Sequence, residues 1–165
     1  MATQSWHERS KLVHIDGRAV IQGRRVDAAS GARFDCVSPV DGRLLGQVAR
    51  CDAADVDAAV AGARAAFEDG RWAGKAPAER KRVLVRFSDL MLAHEDELAL
   101  LETLDMGKPI RYSKSVDVRL AQNCSRWYGE AVDKLYDQVA PSPRDSLALI
   151  TREPVGVVAA IIPWN

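Results

Sequence analysis

The hydrophobic and polar positions of the chain follow a strand-like pattern before residue 50 and a helical one after it. Residues 33–37 alternate, a turn signal occupies 38–42, and residues 44–49 resume the alternation, which together predict an antiparallel strand pair. Two apolar runs within 12–21 flank Asp16-Gly17 and predict a hairpin at that dipeptide. Residues 1–11 are mostly polar and are expected to form a loose terminus.

Three stretches with helical spacing follow. The first begins at Asp52, an N-cap residue with an acid three positions later, and ends at Gly70. Pro77 begins a longer helix at the position where proline is tolerated. It continues to the stop signal at 106–109, and we expect a bend near the polar cluster at 94–97. The third covers about 115–135, and its apolar side chains form one seam that predicts core packing: Val116, Leu120, Cys124, Trp127, Ala131 and Leu135.

The last stretch, residues 155–162, is apolar apart from Gly156 and rich in β-branched side chains. This pattern predicts a strand buried on both faces, as in a parallel sheet covered by helices, so the predicted fold class is α/β. Pro163 cannot donate to a strand ladder, so the strand ends there. Asn165 then lies where open α/β sheets bind ligands, beyond the carboxyl end of a strand. We expect this strand to need neighbours that the chain does not supply, as if a domain were interrupted.

Composition narrows the classes of protein and partner. Lys and Arg together number 23, as do Asp and Glu, so the zero net charge gives no reason to expect a nucleic-acid partner. We found no apolar run long enough to span a bilayer and no signal sequence, so we expect no membrane association and a cytoplasmic location. Three widely spaced cysteines argue against a disulfide framework or a zinc site.

Three segments resemble one known family. The segment Glu-Pro-Val-Gly-Val-Val-Ala-Ala-Ile-Ile-Pro-Trp-Asn, residues 153–165, is similar to the part of NAD(P)-dependent aldehyde dehydrogenases that ends in their catalytic asparagine. The segments 101–109 and 127–134 support this resemblance, which covers only the first part of the family's pattern. The overall amino-acid sequence is most similar in appearance to those of the γ-glutamyl-γ-aminobutyraldehyde dehydrogenase branch.

The resemblance implies a domain organisation. Residues 12–136 would be the N-terminal part of the coenzyme-binding domain, with short strands and three main helices. Residues 137–153 would form an oligomerisation-type arm that includes a weak strand at 146–152. Residues 154–165 would be the first buried strand of the dinucleotide-binding sheet. The resemblance therefore also implies a homo-oligomer in the full-length family.

The resemblance also implies site residues. Asn165 would donate to the oxyanion, and Ile161, Ile162, Pro163, Trp164 and Asn165 would line the nicotinamide side of the coenzyme cleft. In some members, the residue matching Asp105 binds a monovalent cation together with the backbone carbonyl of the residue matching Val37. Each position has a purely structural alternative. Asn165 would simply end a strand, residues 161–164 would be strand core, and Asp105 would bond to nearby backbone at a helix end.

Three functional hypotheses follow. In the first, the chain is part of an oxidoreductase that oxidises an aldehyde, in particular an aminoaldehyde, to a carboxylic acid with NAD or NADP. It is then inactive alone, because the nucleophilic cysteine and the general-base glutamate of the family are absent from it. In the second, it is a non-catalytic truncated subunit that pairs with full-length relatives through the strand at 146–152. In the third, it is an independent helical binding module, which leaves the strand at 155–162 unexplained.

Overall fold

Strands and helices form three successive groups along the chain, and the mixed α/β class predicted above is confirmed. A computed structural model of the protein describes residues 5–163. Its strands are β1 (Ala19–Ile21), β2 (Arg24–Val26), β3 (Arg33–Val37), β4 (Leu44–Ala49), β5 (Gln138–Ala140) and β6 (Ala148–Ile150). Its helices are α1 (Trp6–Ser10), α2 (Ala53–Glu68), α3 (Pro77–Ala93), α4 (Glu95–Met106), α5 (Ile110–Tyr112) and α6 (Arg119–Ala131), with a π-helical segment at Ser113–Val118 between the last two.

The strands pair as three antiparallel hairpins, β1 with β2, β3 with β4, and β5 with β6. The β3–β4 pair confirms its prediction, but the hairpin expected at Asp16-Gly17 was wrong. The turn lies instead at Gln22-Gly23, where both residues have positive φ, as a two-residue hairpin turn of the primed type requires. Gly17 forms a parallel bridge to Val48 of β4, because only a residue without a β-carbon can approach that backbone so closely.

The helix ends agree with the local signals. The Asp52 side chain accepts from the backbone N–H of Ala54, and the Asp55 side chain accepts from the N–H of Asp52, which fixes the start of α2. Pro77 occupies the first turn of α3. His94 separates α3 from α4, where a bend was expected. Gly107 ends α4 in the left-handed conformation.

Two segments differ from the predicted boundaries. Residues 6–10, expected to be loose, form α1, because the Ser5 hydroxyl and the Glu8 carboxylate cap each other's backbone N–H groups. The last long helix covers 110–131 rather than about 115–135, because Pro109 can precede a helix directly and the turn at 113–118 is π-helical.

The predicted apolar seam of the last helix does not pack against α3. The helices α3 and α6 run antiparallel and contact through polar and small residues, notably Ser88, Gln122 and Gly129. The expectation that the seam is core within this chain was therefore wrong, and Trp127 is 63% exposed. Periodicity shows that one face is apolar but not which neighbour covers it. The same applies to three side chains of α3, which are also exposed: Val83, Phe87 and Leu90.

The buried apolar core of the described residues is small and lies mainly where α4 meets the π-helical segment. Leu100 and Leu104 of α4 and Val118 are buried, at 4%, 8% and 6% exposure. A hydrogen bond of 3.1 Å between the Thr103 and Ser113 hydroxyls joins the same two elements. Within residues 5–163, none of the helices is both long and apolar enough to cross a membrane.

The segment at 151–163 was expected to contain the first strand of a buried sheet, and it has no regular secondary structure. Within the described residues, no strand pairs with it, and Val155, Val158 and Ile161 are exposed. A strand exists only through hydrogen bonds to neighbouring strands. Gly156, at φ +110°, also departs from strand geometry, and it lies against Arg64 of α2. The prediction of a buried strand is therefore not realised in these residues alone.

Candidate functional site

Asp105 lies at the C-terminal end of α4, close to the end of β3. The Cys36 thiol donates to Asp105 Oδ1 at 3.5 Å, although the two residues are 69 positions apart in sequence. Partial burial raises the pKa of the Cys36 thiol, and the Asp105 carboxylate raises it further, because it accepts a hydrogen bond from the thiol and its negative charge disfavours a thiolate. The thiol therefore stays protonated at neutral pH and remains a donor to this carboxylate.

The loop after β3 holds this arrangement together. A β-carbon on Gly107 would come within 3.2 Å of Pro39 Cγ, so the loop packs directly on the end of α4. Val37 is the last residue of β3 and therefore lies next to the residue that contacts Asp105. The fold thus brings Asp105 and the neighbourhood of Val37 together, as a shared cation site would require. In residues 5–163, there is no cluster of three or more His, Cys, Asp or Glu side chains that could hold a metal ion.

A second charged cluster follows the same helix end. Lys108 Nζ lies 2.5 Å from Asp117 Oδ2 and 3.4 Å from Glu102 Oε1, which joins α4 to the π-helical segment. Burial raises the pKa of Glu102, and the nearby Asp117 carboxylate raises it further. Asp117 in turn raises the pKa of Lys108. This contact positions the loop that carries Gly107, and hence the end of α4 at Asp105. Nothing in the sequence of segment 101–109 indicates that Lys108 pairs with Asp117.

The predicted coenzyme-contacting residues lie at the C-terminal end of the described residues. Ile161 is fully exposed, Ile162 is 80% exposed, and Pro163 is also exposed. Trp164 and Asn165 lie outside the described residues. The structure therefore shows three of these five residues with their side chains uncovered, and it does not bring them together with Asp105.

A third group of charged residues was missed by sequence reasoning. Arg9 Nη1 lies 2.7 Å from Asp96 Oδ2, and Lys114 Nζ lies 2.6 Å from Asp96 Oδ1. Arg119 pairs with Glu95 at 2.7 Å. These contacts connect α1, the start of α4 and the last helix. The polar cluster at 94–97 carries no local signal for these ion pairs, because its cationic partners are distant in sequence.

A comparison with known proteins identifies the family. The model of the aldehyde dehydrogenase family matches residues 26–165, which is most of the chain. The chain belongs to the aldehyde dehydrogenase family, as its resemblance had implied.

Individual relatives agree with this assignment. The NADP/NAD-dependent aldehyde dehydrogenase PuuC of Escherichia coli (strain K12) is 48% identical over 160 residues, which cover 97% of this chain and 32% of that protein. The aminoacetaldehyde dehydrogenase of Pseudomonas aeruginosa is 50% identical over 148 residues, or 90% of this chain and 30% of that protein. The chain thus spans about a third of the length of these relatives.

Solved structures show the same relationship. The indole-3-acetaldehyde dehydrogenase of P. syringae, as a mutant in complex with NAD+ and IAA, is 58% identical with a TM-score of 0.95, over 96% of this chain and 32% of that one. The γ-glutamyl-γ-aminobutyraldehyde dehydrogenase of Burkholderia cenocepacia is 54% identical, with the same TM-score and coverage. The matched region is the N-terminal part of these structures.

Proposed function

We propose that this chain is the N-terminal part of an aldehyde dehydrogenase that oxidises an aldehyde to a carboxylic acid with NAD or NADP. The observation that carries the proposal is the family match over residues 26–165, which includes Asn165 at the end of an apolar run. Relatives named for aminoaldehydes, at 50% and 54% identity, support an aminoaldehyde as the substrate class. The chain alone is inactive in this proposal, because its share of the family pattern holds neither the nucleophile nor the base.

In this proposal, Asn165 holds the negative oxygen that forms when a thiolate attacks the aldehyde. A neutral amide suits this task, because it donates a hydrogen bond without changing its protonation state near neutral pH. Ile161, Ile162, Pro163 and Trp164 contribute apolar side chains and backbone to the nicotinamide side of the coenzyme site. The exposure of Ile161 and Ile162 is compatible with this role, since no described side chain covers them. The coenzyme accepts the hydride when bound.

We also assign a monovalent-cation site to Asp105 and the backbone carbonyl of Val37. The support is the approach of β3 to the end of α4, shown by the contact between Cys36 and Asp105. An oxygen-lined site suits a hard cation. Thermal unfolding measured in potassium, sodium and tetramethylammonium chloride tests the assignment. We expect a higher melting temperature in one of the two alkali salts, and this increase should disappear in Asp105→Asn. Equal melting in all three salts would exclude the site.

The β5–β6 hairpin supports a subunit-assembly role for residues 137–153. Both strands are exposed over most of their side chains, and an exposed apolar hairpin is an edge to which another subunit can add. We therefore propose homo-oligomerisation of the whole protein through this arm. The thiols of Cys36, Cys51 and Cys124, which form no disulfide, support a cytoplasmic location.

The decisive experiment joins the 165-residue chain in frame to the part of the P. syringae relative that follows the matched region. We expect aldehyde-dependent NADH formation by this composite and none by the 165-residue chain alone. In the composite, Asn165→Ala should lower kcat about 10²–10³-fold, the usual loss for one oxyanion donor. Asn123→Ala, an exposed asparagine of α6, is the matched control and should leave kcat unchanged. A folded composite in which Asn165→Ala keeps full activity would refute the proposed role.

A further inference from the structure

A cavity of about 570 Å³ lies between α1, the turn that joins β3 to β4, and the helices α4 and α5, and we call it the α1 cavity. Its floor is apolar and consists of Leu100, Leu104 and Ile110. We propose that the α1 cavity binds a small amphipathic anion, whose apolar body lies on this floor and whose negative group pairs with Lys11. The proposal does not depend on the proposed function, and it uses none of the residues assigned there.

The wall that α1 contributes is held in place by contacts with the start of α4. Arg9 Nη1 lies 2.7 Å from Asp96 Oδ2. Trp6 lines the cavity, and the Arg9 guanidinium lies over its ring, 4.4 Å from the centroid. Lys114 Nζ, which also pairs with Asp96, lies 5.8 Å from the same centroid. These contacts fix α1 against α4 and leave the space beside Leu100 and Leu104 unfilled.

The hydroxyl groups of the lining are already bonded within the chain. Thr103 exchanges a hydrogen bond of 3.1 Å with Ser113, and the Ser38 hydroxyl accepts from the backbone N–H of Val40 at 3.3 Å. The floor between them therefore presents mainly apolar surface to a ligand. A mostly apolar cavity of this size with a few polar groups at its edge is typical of small-molecule sites.

The charges at the edge of the α1 cavity favour an anion over a cation. Asp41 and Arg43 both line it, but they pair with each other, with Arg43 Nε 3.6 Å from Asp41 Oδ2. Lys11 forms no ion pair within residues 5–163, whereas four other lysines do. His7, the other titratable side chain of the lining, carries no negative charge in any state. The lining thus has an excess positive charge, and a carboxylate or similar group would supply the partner of Lys11.

Titration calorimetry of the 165-residue chain tests the proposal with three probes of equal chain length: octanoate, octylammonium and 1-octanol. We expect octanoate to bind at least about tenfold more tightly than octylammonium. Lys11→Gln should weaken octanoate binding about tenfold, as expected for loss of one partly exposed charged hydrogen bond, and should leave 1-octanol binding unchanged. Lys75→Gln is the matched control, because Lys75 is also exposed but lies outside the α1 cavity, and it should change neither affinity.

A second variant fills the cavity without altering its charge. Val40→Trp places a large side chain at a lining position that is 72% exposed, so the fold should tolerate it. We expect it to weaken both octanoate and 1-octanol at least about tenfold. Val20→Trp is its control, since Val20 is 68% exposed and does not line the α1 cavity, and it should leave both affinities unchanged. Circular dichroism of each variant verifies that it is folded.

Four results would overturn the proposal. The first is the absence of octanoate binding, and the second is equal affinity for octanoate and octylammonium. The third is octanoate binding that neither Lys11→Gln nor Val40→Trp weakens. The fourth is octanoate binding by the 165-residue chain that disappears in a folded form of the composite described above, which would assign the α1 cavity to packing within the larger subunit. Aldehyde oxidation by that composite is measured separately, so its outcome bears on the proposed function alone.

Discussion

Ser88→Ala tests how α3 recognises α6. Ser88 is fully buried, and its hydroxyl accepts from Gln122 Nε2 at 2.7 Å while donating to the Gln122 backbone carbonyl at 3.1 Å. Gln122 is only 6% exposed. The substitution leaves the Gln122 amide buried without its acceptor. Leaving one buried neutral donor unsatisfied costs about 1–3 kcal/mol of unfolding free energy.

The companion substitution removes the donor as well. Gln122→Met keeps an unbranched side chain of similar length but no amide, and it should cost about 0.5–1.5 kcal/mol. In the double variant, no polar side chain is left without a partner at this position. The two losses should therefore not add, and we expect a coupling energy of about 1 kcal/mol, as is common for residues in direct contact.

The assay is urea unfolding of the 165-residue chain followed by far-ultraviolet circular dichroism, with the slope m compared among the variants. A destabilisation of 1 kcal/mol corresponds to a loss of about 2–4 °C in melting temperature for a domain of this size. Ser115→Ala is the control, because the Ser115 hydroxyl is exposed and bonds within its own helix to the Arg111 carbonyl. Strict additivity, or a Ser88→Ala variant as stable as the parent, would refute the role given to this pair.

Three further predictions concern close backbone contacts and one ion-pair cluster. Gly129→Ala should lower stability, because overpacking against α3 costs about 1–3 kcal/mol and alanine's helix propensity returns only about 1 kcal/mol. Gly62→Ala is its control and should cost less than Gly129→Ala, since the three atoms nearest to the new β-carbon all belong to the side chain of Gln22, which can move aside. Gly17→Ala should cost at least about 1–3 kcal/mol, because its β-carbon would lie 2.1 Å from the Gln47 carbonyl oxygen, far inside van der Waals contact with a backbone atom that cannot easily move aside. Lys114, and then Arg9, lower the pKa of Asp96 below its usual 3.8, so the stability from this carboxylate is present above pH 3.8 and is lost as pH falls through the lowered pKa. The urea midpoints of the parent and Asp96→Asn should therefore differ at pH 7 and converge in strong acid.

Three outcomes would contradict the structure, each in a different way. Gly129→Ala more stable than the parent would mean that α3 and α6 are not in close contact. Unchanged stability of Gly17→Ala would mean that Gly17 does not approach the backbone of β4 as closely as described. A constant difference between the parent and Asp96→Asn across the acid range would mean that the Asp96 carboxylate gains nothing from Lys114.

The candidate sites were predictable to different extents. Sequence resemblance alone pointed to Asp105 and to the residues around Asn165, because those segments are long and specific. The structure added the contact between Cys36 and Asp105 and the bridge from Lys108 to Asp117. Neither has a local signal, since each depends on how β3 or the π-helical segment packs on α4.

The sequence by itself determined where most elements begin and end. The Asp52 cap, the proline at position 77 and the glycine at position 107 act on backbone groups within a few residues, so their effect needs no distant partner. The β3–β4 pair is equally local, because a short turn fixes its register.

Only the tertiary structure decided which faces are covered. The apolar spacing along α6 and the β-branched run at 155–162 both indicated burial, but within residues 5–163 the first faces outward and the second has no partner strand. Hydrophobicity gives a segment a preference for burial and is not directional. The neighbour that satisfies this preference is set by contacts distant in sequence, and here α3 meets α6 through the polar pair Ser88 and Gln122 instead.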